Sequence, residues 1–104
     1  MLYMLYGGDV PNGAAIRAAT LEEHLAYLER NREILVLGGA TLTDDGGTRN
    51  GSVLIINVPG RAEADAFARD EPFRKAGLFA QYTVTRMRRG QWNPAAAPKT
   101  PEGS

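Results

Sequence analysis

The sequence predicts an α+β domain on a β-α-β-β-α-β plan, with one four-stranded antiparallel sheet. Three observations lead there. Four short runs rich in aliphatic and aromatic residues are separated by segments that carry Gly or Pro turn signals. Two stretches with helical spacing fall after the first and the third of these runs. At 104 residues, 43% apolar and 23% charged, the chain has room for one ordinary globular core and not for two.

Leu2 to Tyr6 reads as the first strand, closed by Gly7-Gly8-Asp9, and Asp9 to Gly13 as a loop around Pro11 and Asn12. Helical character begins near Ala14. It is clearest where Leu21, His24, Leu25 and Leu28 fall at i, i+3, i+4 and i+7 on one face. Thr20 and Glu23 have capping-box spacing, so the sequence predicts a helix start or a kink there. Asn31-Arg32 ends the helix. Ile34 to Thr43 is the second strand, with Gly38-Gly39 marking a bulge or a close backbone approach. The polar, Gly-rich Asp44 to Asn50 is a hairpin connection or a mobile flap, and Gly51 to Val58 is the third strand.

Arg61 to about Arg69 forms the second helix, with Ala62, Ala66 and Phe67 as expected inner residues. Asp70-Glu71-Pro72-Phe73 breaks it, a short turn ends at Gly77, and Leu78 to about Met87 is the last strand. After Trp92 the Pro/Ala-rich segment 93–104 reads as a flexible tail, so the folded domain is expected over 1–92. This order is the ferredoxin-like, or split β-α-β, arrangement.

Two helices cover only one face of such a sheet, yet the strands are apolar on both. Leu2, Met4 and Tyr6 oppose Tyr3 and Leu5; Val53 and Ile55 oppose Leu54, Ile56 and Val58; Leu35 and Leu37 are expected to oppose Ile34 and Val36. A wet apolar sheet face is costly, and the simplest cover is a second copy, which predicts a two-fold homodimer.

Twelve basic residues balance twelve acidic ones, which argues against a nucleic-acid partner or an anionic membrane surface. The basic run Arg86, Arg88 and Arg89 reads as a solvated edge. With no cysteine and one histidine there is no metal-ligand spacing, and Gly38-Gly39 lack the rest of a phosphate loop. The opening MLYMLY is too short for a signal peptide or a membrane span, and the cytoplasm is the expected compartment.

The segments MLYMLY, Arg17 seven residues before His24, HLAYL, Gly38-Gly39, Gly51-Ser52 and above all DEPFRKAGLF (Asp70 to Phe79) are similar to those of the YCII-related family. That family lies within the dimeric α+β barrel superfamily, and the resemblance runs from Met1 to about Trp92. It implies a barrel made by two subunits. It also implies an active-site pair of a helix histidine, here His24, and a carboxylate before the later proline. Here Glu71 stands where family members carry Asp, with Asp70 one residue earlier, and either can face the cleft. Leu21 replaces an Arg of some members, which leaves Arg17 as the candidate anion clamp. The family's known enzymatic example is dehydrochlorination of a chlorinated hydroxyquinol.

The resemblance thus implies a cofactor-independent enzyme doing proton-transfer chemistry on a small cyclic or phenolic substrate: elimination, isomerisation or cyclisation. His24 is its expected general base and acid, with Asp70 or Glu71 as orienting partner. Arg17 is expected to hold a substrate anion, with Tyr6, Tyr27 and Phe73 as pocket walls. The plainer readings are a hydrogen-bonded core histidine, an Asp70 that caps the turn, and a non-catalytic small-molecule-binding or accessory protein on the same fold.

Overall fold

A computed structural model describes residues 1–103. Ser104, the last residue of the expected tail, lies outside the described residues. The elements follow the expected order: β1 (Leu2–Asp9), α1 (Gly13–Arg30), β2 (Leu35–Leu42), β3 (Arg49–Asn57), α2 (Arg61–Asp70), a one-turn α3 (Pro72–Lys75) and β4 (Phe79–Met87). The sheet runs β2-β3-β1-β4, with every neighbouring pair antiparallel. This is the ferredoxin-like α+β fold. Among the described residues no helix is long and apolar enough to cross a membrane.

Alternation along the strands separates two faces. Tyr3 and Leu5 of β1, with Leu54 and Ile56 of β3, are buried under the helices. From α2 the buried side chains are Ala64, Phe67 and Ala68. This corrects the expected inner set: Ala62 is exposed and only Phe67 is shared, because the buried stripe is i, i+3, i+4 counted from Ala64. On the other face Leu2, Met4, Tyr6, Val53 and Ile55 stay half-buried within this chain, and Leu37 and Met87 are exposed.

Strand β2 departs from the expected simple alternation. Leu35 pairs with Ile56 but Leu37 pairs with Ile55, so the register shifts at Val36 and the two leucines take opposite faces. Leu35 joins the core, whereas Leu37 is 63% exposed. The irregularity thus lies before Gly38-Gly39. Gly38 meets the second expectation, close approach: a Cβ there would come 2.7 Å from Leu54 Cδ2.

The helix α1 is continuous through Thr20, so the capping-box spacing starts nothing there. It begins at Gly13 behind Asn12, whose side chain makes no cap. The hairpin joining β2 and β3 is built rather than irregular. Thr43 Oγ1 and the Gly47 amide donate to Asp45 Oδ1 at 2.7 and 2.9 Å, and Gly46 takes φ +74°. Those two donors hold the Asp45 carboxyl below its ordinary range. In the tail, Pro94–Ala96 forms a single 3₁₀ turn and the residues around it are exposed.

Candidate active site

The site grows from one face of α1 and from the break between α2 and α3. Pro72 cannot continue α2, but its fixed φ suits the first turn of a new helix. Glu71 is therefore left extended between them as the N-cap of α3, and its Oε2 accepts the Arg74 amide at 3.2 Å. The cap turns the carboxylate inward, where only 2% of Glu71 is exposed. There its Oε1 meets His24 Nδ1. Phe73, one turn-position further on, lays its ring against the imidazole at 3.9 Å between centroids and 12° between planes.

Both Glu71 oxygens are thus occupied, one by a backbone amide and one by the histidine. An ionised carboxylate can only accept, so it fixes the proton on Nδ1 and leaves the Nε2 lone pair free. Nε2 has no hydrogen-bond partner among the described residues, and no buried side-chain nitrogen or oxygen is without one. Nε2 is therefore open to solvent. His24 lines a cleft of about 650 Å³ between α1, the sheet and the end of the β2–β3 hairpin. Nε2 thus carries a free lone pair at the wall of a largely apolar cleft, an arrangement that can chemically accept a proton and return it.

The other expected residues divide. Phe73 and Arg17 line this cleft together with His24. Arg17, however, is already engaged: Nε and Nη2 form a bidentate pair with Asp9 at 2.7 and 2.9 Å. Nη2 also donates to the Gly51 carbonyl at 2.7 Å and to Ser52 Oγ at 3.1 Å. A substrate anion would have to compete with a buried carboxylate for it. Asp70 ends α2 exposed to solvent, so the carboxylate that meets the histidine is Glu71.

Tyr6 lies on the sheet face away from the helices and does not line the cleft. Tyr27 points the other way along α1. Its hydroxyl donates to the Phe67 carbonyl at 2.9 Å and ties α1 to α2. Burial, then the negative charges of Asp70 and Glu71, push the Tyr27 phenol up to about 12.

The cleft also holds residues that sequence reasoning passed over. Leu21 and Leu25, read only as part of one helix face with His24, are 47% and 55% exposed and form the apolar wall. Arg49, from the segment read as a connection, lines the mouth and has no ion-pair partner among the described residues. It is the uncompensated cation of the cleft. Asp9 was read as part of a turn, and its partnership with Arg17 spans a loop and a full turn of helix. Among the described residues, no three His, Cys, Asp or Glu side chains are grouped to hold a metal ion.

The sequence model of the YCII-related domain matches residues 1–88, the whole span that builds this cleft. The chain belongs to the YCII-related family. An uncharacterised protein of Haemophilus influenzae is 29% identical over 91 residues, covering 81% of this chain and 93% of that protein. Among solved structures, 5-chloro-2-hydroxyhydroquinone dehydrochlorinase of Burkholderia phenoliruptrix, in complex with 2,5-dihydroxybenzoquinone, superposes with a TM-score of 0.80. It is 37% identical, with 86% of this chain and 96% of that one covered. An antibiotic biosynthesis monooxygenase at 21% identity, covering 85% and 97% of the two chains, has a TM-score of 0.51 and shares the fold alone.

Proposed function

We propose that this YCII-related protein is a cofactor-independent enzyme that moves protons on a small cyclic or phenolic substrate, with elimination as the favoured reaction. The observation that carries the proposal is the His24–Glu71 pair, whose carboxylate is sealed and whose remaining imidazole nitrogen opens into an apolar cleft. The 37% identical dehydrochlorinase, solved with a dihydroxyquinone, supports the same substrate class.

In the proposed reaction Nε2 takes a proton from a phenolic O–H or an acidic ring C–H. The electron pair of the broken bond moves into the ring and expels a leaving group or shifts a double bond. Glu71 stabilises the imidazolium without itself taking the proton, as in other buried carboxylate–histidine pairs. The imidazolium then returns its proton to solvent or product. Leu21, Leu25 and Phe73 offer the ring an apolar wall, and Arg49 is placed to meet an oxyanion at the mouth. Arg17, bonded to Asp9, braces the cleft in this reading rather than holding substrate.

His24→Ala is expected to lower turnover of a chlorinated hydroxyquinol by about 10²–10⁴ while circular dichroism and melting stay close to wild type. Undiminished turnover removes His24 from the mechanism. Tight binding of dihydroxyquinones without turnover of any bound compound would favour the non-catalytic binding protein instead.

We further propose that the protein acts as a homodimer through the sheet face opposite the cleft. Leu2, Met4, Val53 and Ile55, half-buried, and Leu37 and Met87, exposed, give that face a continuous apolar surface among the described residues. Sedimentation velocity at micromolar concentration is expected to give twice the chain mass, and a monomer would refute it.

A further inference from the structure

We propose that the molecule carries a second binding site, for a small multivalent oxyanion of the phosphate type, in the concavity between α2, α3 and β4. This hollow has a volume of about 570 Å³, within the range of small-molecule sites. It does not overlap the His24 cleft in any lining residue. Its walls bring together four cations, Arg61, Arg69, Arg74 and Lys75, and one carboxylate, Asp65.

Asp65 is already answered. Arg61 Nε sits 3.2 Å from one Asp65 oxygen, and Arg61 Nη1 donates to the Val84 carbonyl at 2.7 Å. Arg69, Arg74 and Lys75 are left with no ion-pair partner among the described residues. Three uncompensated positive charges in one hollow repel one another, and an oxyanion is the ligand that relieves this. The concentration is not a reflection of general basicity, since the chain as a whole has zero formal net charge.

The hollow also has an orienting element. Arg74 Cζ lies 4.5 Å from the centroid of the Tyr82 ring, a cation–π contact that holds the guanidinium in the hollow without using any of its N–H donors on a carboxylate. Tyr82 and Val84 supply a partly apolar floor beside the cations. A phosphate carried on an aromatic ring therefore fits the hollow better than the bare ion.

The site shares α3 with the active cleft. Glu71 caps this single turn and Phe73 stacks on His24, while Arg74 and Lys75 of the same turn face the hollow. Binding at the hollow is thus one rigid turn away from the histidine, whatever chemistry that histidine performs.

The test is a titration of the full chain with inorganic phosphate and with phenyl phosphate at constant ionic strength, followed by backbone amide NMR shifts. Saturable shifts are expected over residues 61–69, 74–75 and 82–84, with phenyl phosphate the tighter ligand. Arg69→Ala with Lys75→Ala, both exposed positions, is expected to weaken binding roughly tenfold or more while leaving the remaining spectrum in place. Shifts that never saturate, equal shifts from chloride, or wild-type affinity in the double variant would each overturn the proposal. Because the readout is taken at residues 61–69, 74–75 and 82–84, none of which lines the cleft, its failure leaves the His24 proposal untouched, and the converse holds.

Discussion

Helix α1 carries two side chains bonded to carboxylates, two turns apart, and they differ in what each leaves unbonded. Arg17 and His24 both meet buried carboxylates, and Phe73 packs against both, 5.2 Å from the Arg17 Cζ and stacked on the imidazole. Arg17 meets its carboxylate through two parallel bonds and adds Gly51 and Ser52 of β3 as further acceptors. A guanidinium keeps its charge at any working pH, so that pair is permanent. His24 makes one bond and keeps one ring nitrogen open. A ring nitrogen with a free lone pair can take up a proton and release it, so the second pair is the one that can pass a proton. Two carboxylate partnerships on one helix thus give a closed clamp at Arg17 and, in the proposed reading, a proton-transfer group at His24, and the difference lies in the side chain and in what is left unbonded.

The largest effect expected is on the clamp. Arg17→Met removes the cation but leaves Asp9 buried with 7% of its side chain exposed, and breaking one half of a buried pair costs about 3–5 kcal/mol. Urea denaturation is expected to show most of that loss, and Asp9→Asn in the same chain to restore part of it, since the stranded charge is then gone. A shift below about 1 kcal/mol, typical of solvated pairs, would mean that Arg17 is free for substrate after all.

How far this contrast was legible in the sequence depends on the range of each interaction. Strand alternation is local, so the two-faced β1 and β3 follow from residue order alone, and the structure has both. The Leu21-His24-Leu25-Leu28 periodicity finds a face but not what lies against it. The structure leaves Leu21 and Leu25 facing open space as a cleft wall. The pairing of Arg17 with Asp9 depends on a β1–α1 loop that no spacing rule describes. Asp70 and Glu71 are chemically near-equivalent neighbours. They part only because Pro72 restarts the helix and makes Glu71 the cap. Val36 is one more such case: a bulge that swaps the faces of Leu35 and Leu37 leaves no mark in an apolar run.

The reactive pair is sharpened by Glu71→Gln, an intermediate effect. The carboxylate accepts on both oxygens, from His24 and from the Arg74 amide, whereas an amide side chain has one accepting oxygen. If that oxygen keeps the cap, the amide nitrogen donates to Nδ1, the imidazole proton moves to Nε2, and the base is lost. Turnover is expected to fall by on the order of 10², with a smaller stability change of about 0.5–2 kcal/mol if the cap is sacrificed instead. Parallel losses of rate and stability in a series of Glu71 variants would instead place Glu71 in the scaffold, alongside Asp9.

The smallest effect expected comes from Tyr27, on a different face of the same helix, and it separates a structural phenol from the chemistry. Its hydroxyl donates to the Phe67 carbonyl, so Tyr27→Phe is expected to cost about 1 kcal/mol at neutral pH and to leave turnover unchanged. The pH dependence follows from the direction of its shift. Burial disfavours the phenolate, and so do the charges of Asp70 and Glu71, which raises the folded-state value from 10.0 to about 12. The folded chain therefore holds this proton to higher pH than the unfolded chain does. The associated stability is fully present below pH 10 and drains away as pH rises through about 12. Tyr82 is raised in the same direction, chiefly by burial. Denaturation midpoints measured from pH 8 to pH 12 are expected to decline above pH 10 and to decline less steeply in Tyr27→Phe. An alkaline slope identical in the two proteins would show that Tyr27 ionises freely, and that its bond to Phe67 does not hold α1 against α2.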